Sequence, residues 1–107
     1  MYTLKLSGPF KNDLKSSVNY IKNTLQNPVA ADNLKEAVKK AYKKIKENPY
    51  FYAVVPNEYL ASLGYRLKIV NNYVIFYYVI GKTINIARFL YGRRDWANIL
   101  DKAIEIK

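Results

Sequence analysis

Arginine is the side chain in this sequence best suited to doing chemistry. All four arginines, Arg66, Arg88, Arg93 and Arg94, lie in the second half of the chain, beside Lys68 and Tyr91. A guanidinium is planar, stays charged and presents a fork of donors that fits a phosphate or a carboxylate. Neither histidine nor cysteine occurs. That excludes imidazole acid–base catalysis, His-dependent triads, thiolate chemistry and a disulfide framework. The eight carboxylates are scattered without metal-ligand spacing, so no metal and no cofactor is expected. Gly81-Lys82-Thr83 matches the end of a phosphate-binding loop, but Phe76 stands where that loop needs its first glycine.

The arginines belong to a stretch that must position them, Gly64 to Asp95. Residues 65–70 and 73–80 flank Asn71-Asn72, a pair that tolerates the positive φ of a tight hairpin turn. Gly81-Lys82 separates the second run from 83–91. β-Branched and aromatic residues dominate all three runs, which predicts a three-strand antiparallel meander. The middle run is nearly all apolar and should be covered on both faces. Alternation along the first run puts Tyr65, Leu67 and Ile69 on one face, and Arg66 and Lys68 on the other. Arg88 interrupts the apolar series Ile84, Ile86, Leu90, so it needs an acidic partner or an opening to water.

Upstream, Tyr2 to Leu6 alternates as a short first strand. Ser7-Gly8-Pro9 opens a helix, and Phe10, Leu14, Val18, Ile21 and Leu25 form its apolar stripe. Asn27-Pro28 ends it and starts a second helix over about 28–47, with Ala30, Leu34, Val38, Ala41 and Ile45 on one face. Lys35, Lys39, Lys43 and Lys46 lie opposite. Without an aromatic or an arginine beside it, this lysine stripe reads as the wet face of an amphipathic helix rather than a grip on phosphate. Residues 50–63 read as an irregular connection with a short strand at 51–55. Asp95 is placed to cap a last helix over 96–105. The fold class is therefore α+β, in the order β-α-α-β-β-β-α, a helical hairpin packed on an antiparallel sheet. At 107 residues it is one domain over 1–107.

The charge balance is 18 basic residues against 8 acidic, a net +10. That favours a polyanionic partner. No apolar run approaches the ~20 residues of a membrane span, and the N-terminus lacks a signal-peptide core, so a cytoplasmic protein with no membrane partner is expected.

In order and spacing the chain resembles the RelE/ParE superfamily of toxins from bacterial type II toxin–antitoxin pairs. The likeness runs through Asp13-Leu14, Tyr20-Ile21, Asn27-Pro28, Ala31, Leu34, Asn48-Pro49, Gly64-Tyr65-Arg66, Asn72 to Tyr77, Ile86, Arg88 and Tyr91-Gly92-Arg93-Arg94-Asp95. It implies a toxin that arrests growth unless a cognate, acidic antitoxin binds it. The RelE-like branch cleaves messenger RNA on the ribosome, and the ParE-like branch poisons DNA gyrase and cuts no RNA. In the first branch Arg66 and Arg94 match catalytic arginines. Tyr91 is a candidate proton carrier beside them, with Tyr65 and Tyr77 as others, while Lys68, Arg88 and Arg93 would hold nucleic acid or the target. The stretch before Arg66 lacks the lysines frequent in that branch, and residues 96–105 lack its tyrosine or histidine. The charge and the retained arginines tilt the balance to ribosome-dependent mRNA cleavage. A gyrase poison is the alternative, and a non-toxic basic nucleic-acid-binding module the third. Oligomeric state is open.

Overall fold

Ser7 joins three parts of the fold. Its backbone N–H donates to the Ile86 carbonyl (3.0 Å), its hydroxyl donates to the Ala87 carbonyl (2.8 Å), and the same oxygen accepts the Phe10 N–H (3.0 Å). The last contact is an N-cap, which satisfies one of the orphan donors of a helix start. The computed structural model describes residues 1–92. The helix expected over 96–105, with Arg93, Arg94 and Asp95, lies outside the described residues.

Strand β1 (Thr3–Leu6) leads into α1 (Gly8–Asn19), which continues as a π-helical turn (Tyr20–Thr24). Helix α2 (Pro28–Glu47) follows, then the short α3 (Glu58–Ser62) and the strands β2 (Arg66–Val70), β3 (Tyr73–Ile80) and β4 (Thr83–Tyr91). The strand order is β1-β4-β3-β2. The meander is antiparallel as expected, but β1 pairs parallel with β4, so the sheet is mixed. The helices are the reason. They carry the chain from β1 across to β2 at the far edge, running parallel to β1, and two antiparallel turns then bring β4 back beside β1 in the same direction.

The two strand turns follow their residues. Asn71 has φ 54° and Gly81 φ 60°, the left-handed region that asparagine and glycine tolerate best. In α1 the stripe from Phe10 to Ile21 faces the core, but Leu25 is 55% exposed. The π turn, closed by Leu25 N–H to the Tyr20 carbonyl (3.0 Å), inserts an extra residue and swings Leu25 out of line. Asn27 then caps α2 through its side chain, accepting the Ala30 N–H at 3.0 Å. In α2 the buried line is Ala31, Leu34, Val38, Ala41 and Ile45. Ala31, not Ala30, takes the first position. The short strand expected at 51–55 is reduced to a single bridge, Val54 with Arg66. The helix α3 was not foreseen.

Both faces of β3 are covered. Tyr73, Ile75 and Tyr77 join Ile84, Ile86 and Phe89 beneath α1 and α2. On the other face Phe76 and Leu90 pack with Val55, Leu60 and Tyr65. The register of β4 shifts between Phe76 and Tyr77, leaving Ala87 as an extra residue. Just past this bulge Asp13 accepts Arg88 Nε (2.6 Å), Arg88 Nη2 (2.9 Å) and the Phe89 N–H (3.1 Å). This is the acidic partner that Arg88 required. The two side chains are only 16% and 20% exposed, so breaking the pair leaves a largely buried charge without its counter-ion.

Asp13→Ala and Arg88→Met should therefore each destabilise the chain by about 3 kcal/mol, a fall of roughly 15 °C in melting temperature for a domain this small. Combining Arg88→Met with Asp13→Leu should recover part of the loss. Thermal unfolding of the three variants checks this, and strictly additive losses would contradict the pairing.

Candidate functional site

The site expected around Arg66 forms where the chain leaves α2. Asn48 caps the helix and Pro49 is buried beneath the turn that follows. Tyr77 reaches up from β3, and its phenol donates to the Pro49 carbonyl at 2.6 Å. From β2, Arg66 Nη1 donates to the Tyr52 carbonyl (2.7 Å) and to the Tyr50 carbonyl (3.3 Å). Its guanidinium carbon lies 5.2 Å from the centre of the Tyr50 ring, within cation–π range. Arg66 and Tyr77 are cross-strand partners, so both work on the same face of the sheet, and residues 49–52 are clamped between them. Arg66 is thus tied to backbone that it holds in place.

Lys68, two residues along the same face, places its ammonium 4.9 Å from the Tyr52 ring centre. Arg88 is engaged by Asp13. Tyr91 closes β4, half-exposed and edge-on to Tyr73 at 5.2 Å. It pairs with Tyr73 whereas Arg66 pairs with Tyr77. Four residues of extended strand separate those positions, roughly 13 Å. The fold therefore brings Arg66 and Lys68 together and holds Tyr91 and Arg88 elsewhere. Arg93 and Arg94 lie outside the described residues.

Tyr77, across the strand from Arg66, and Tyr65, beside it in sequence, are poor proton carriers. Burial pushes the Tyr77 phenol up to about 12; the neighbouring Arg66 charge pulls it down and Tyr52 adds slightly to the rise. Burial, with a smaller contribution from Tyr78, also raises Tyr65. A phenol held neutral this way does not accept a proton near neutral pH. Among the described residues no cluster of carboxylates could hold a metal ion, and no helix is long and apolar enough to cross a membrane.

Sequence reasoning missed the partner of Arg88 and the carbonyls that hold Arg66. Asp13 falls three residues after Phe10 and just before Leu14, inside the apolar stripe of α1; a carboxylate there signals a buried partner. The roles of Tyr50 and Tyr52 depend on their carbonyls, which carry no residue-type signal.

Against known families, the description that matches is the ParE toxin of the type II toxin–antitoxin system parDE, over residues 4–96. The chain belongs to the ParE toxin family. Among solved structures, a chain of the chromosomal ParDE toxin–antitoxin system from P. aeruginosa superposes with a TM-score of 0.71 at 21% identity. It covers 87% of this chain and 98% of its own length, a likeness of fold. No curated protein sequence matches. Membership of a toxin–antitoxin family implies an antitoxin as partner for this ParE-family chain.

The clamp on residues 49–52 has a pH signature. Tyr77, and Tyr42 likewise pushed up to about 12 by burial, stay protonated in the fold but ionise near 10 once unfolded. The unfolded state therefore loses protons first, and stability should fall as pH rises from about 10 to 12. Tyr77→Phe should flatten that fall while costing about 1 kcal/mol at neutral pH for the unsatisfied Pro49 carbonyl. Denaturant titration across the alkaline range reads both, and an unchanged slope in Tyr77→Phe would refute the assignment.

Proposed function

We propose that the chain is a growth-arresting toxin that acts by binding and poisoning DNA gyrase, and that it does not itself cut nucleic acid. The observation that carries this reading is the state of Arg66. Cleavage of RNA by attack of its 2′-hydroxyl needs a guanidinium aimed at the developing phosphorane charge and a group that moves protons near neutrality. Arg66 instead donates to the Tyr50 and Tyr52 carbonyls, and the phenol across the strand from it is pushed up to about 12. Poisoning an enzyme requires only a complementary surface. Membership of the ParE family supports the same reading over the RNA cleavage that the net charge and the retained Arg66 and Arg94 favour.

The surface that meets the target centres, in this reading, on Gly92-Arg93-Arg94, which follows the β4 residues in the sequence. Lys68 supplies charge from β2, and Arg88 and Tyr91 serve the scaffold rather than the reaction. The net charge of +10 suits an acidic antitoxin that folds as it binds and is steered by opposite charge.

Purified protein added to gyrase and plasmid should accumulate cleaved DNA, while a purified translation system should continue and its messages stay whole. Cuts at fixed codon positions on ribosomes, with gyrase unaffected, would sink the proposal. Arg93→Ala with Arg94→Ala should abolish toxicity at unchanged melting temperature. Arg66→Ala should lower the melting temperature, because residues 49–52 lose their clamp.

A further inference from the structure

At one end of the sheet the fold assembles a ribbon of alternating cations and rings that the sequence keeps far apart. The Lys82 ammonium, in the β3–β4 turn, lies 5.1 Å from the Tyr2 ring centre. Tyr2 meets Tyr50 edge-on at 6.4 Å, and Arg66 lies 5.2 Å from the Tyr50 ring centre. The Arg66 guanidinium also binds the Tyr52 carbonyl, and Lys68 sits 4.9 Å from the Tyr52 ring centre. Phe51 stands edge-on to Tyr52 at 5.2 Å and is 73% exposed; Tyr50 is 54% exposed. Beyond Lys68 the ribbon runs into a shallow groove that Lys40 and Lys44 of α2 also line.

This placement divides the α2 lysines. Lys40 and Lys44 lie outside the stripe of Lys35, Lys39, Lys43 and Lys46 and line the groove with Lys68. The stripe itself is partly neutralised. Lys35 and Lys39 pair with Asp32 and Glu36 in the first half of α2. Among the described residues, Lys40, Lys44, Arg66, Lys68 and Lys82 form no ion pair. The ribbon spans from the β1–β4 edge to β2, three strand spacings or roughly 14 Å, and continues along α2.

Exposed rings interleaved with unpaired cations suit a partner with flat bases on a negatively charged backbone. A duplex keeps its bases stacked on one another and offers only phosphates to such a surface. We propose that this ribbon binds single-stranded nucleic acid, with Phe51 and Tyr50 stacking on bases and Lys68, Lys82, Lys40 and Lys44 along the phosphates. This activity does not depend on the gyrase reading, with which it shares only Lys68.

The test uses the full-length chain free of antitoxin, without gyrase or ribosome. Fluorescence anisotropy is followed with labelled oligo(dT), oligo(U) and a mixed-sequence duplex of equal length. Both single strands should bind more tightly than the duplex. Phe51→Ala should weaken single-strand binding about tenfold or more, as loss of one stacked base does, and leave the duplex unchanged, while Phe51→Trp should retain it. Lys68→Ala with Lys82→Ala should lower the slope of log K against log salt by about 1.4, at roughly 0.7 per phosphate. Lys35→Ala with Lys39→Ala should leave affinity within about twofold, because those lysines are already paired. Circular dichroism confirms that each variant folds. No measurable binding, equal affinity for duplex and single strand, or a folded Phe51→Ala that binds as before would each overturn the proposal. None of these outcomes bears on gyrase poisoning, so the two readings fail separately.

Discussion

The carboxylate of Asp13 accepts three hydrogen bonds from β4 immediately beyond the bulge at Ala87, two from the Arg88 guanidinium and one from the Phe89 backbone. Much of the molecule hangs on this contact. A bulge leaves one residue unpaired and bends its strand, so something must fix where the strand resumes. Asp13 does so from α1, while Ser7 takes the Ala87 carbonyl from the start of the same helix. The register that follows places Phe89 against Phe10 and flat on Tyr73, at ring separations of 5.9 and 4.7 Å. Helix, sheet and aromatic core are set by one polar lock whose members satisfy each other.

A second constraint acts at the far end of α2. The turn over residues 49–52 has little regular structure, and it is held from below by the Tyr77 phenol and from the side by Arg66. Each clamp uses a side chain of the sheet to bind backbone carbonyls of the turn, and the Pro49 carbonyl is buried where no water could replace the Tyr77 phenol. The consequence for function is direct. The same arginine that would serve best as a transition-state donor is the one that shapes the surface, and the aromatic rings it organises become that surface. Preorganisation here yields a binding face.

The cations divide by depth. Arg88 pairs with a carboxylate inside the fold and is largely buried, and Arg66 lies along the sheet, partly buried. Lysines occupy the exposed α2 face, where a mobile ammonium stays hydrated and contributes to a long-range field. A net charge of +10 carried mostly by lysine favours encounter with polyanions. The specificity of any such encounter falls to the few positions where rings and cations touch.

Much of this was legible in the residues. The meander follows from three β-branched and aromatic runs cut by Asn71-Asn72 and Gly81-Lys82, because period-two patterning and turn chemistry are local properties. The cap at Ser7, the break at Asn27-Pro28 and the buried line of α2 are local in the same way, and the order of the whole sufficed to suggest the superfamily. Other features depended on contacts between residues far apart in sequence. The parallel pairing of β1 with β4, the π turn that turns Leu25 outward and the short α3 capped by Asn57 leave no periodic signature. Arg88 announced its need for a partner but could not name Asp13, 75 residues away. Arg66 looked the same as a catalytic arginine or a scaffold one, because the carbonyls of Tyr50 and Tyr52 that occupy it belong to every residue type. Patterning along a chain encodes what each segment buries; which polar groups then meet is decided only when the segments pack.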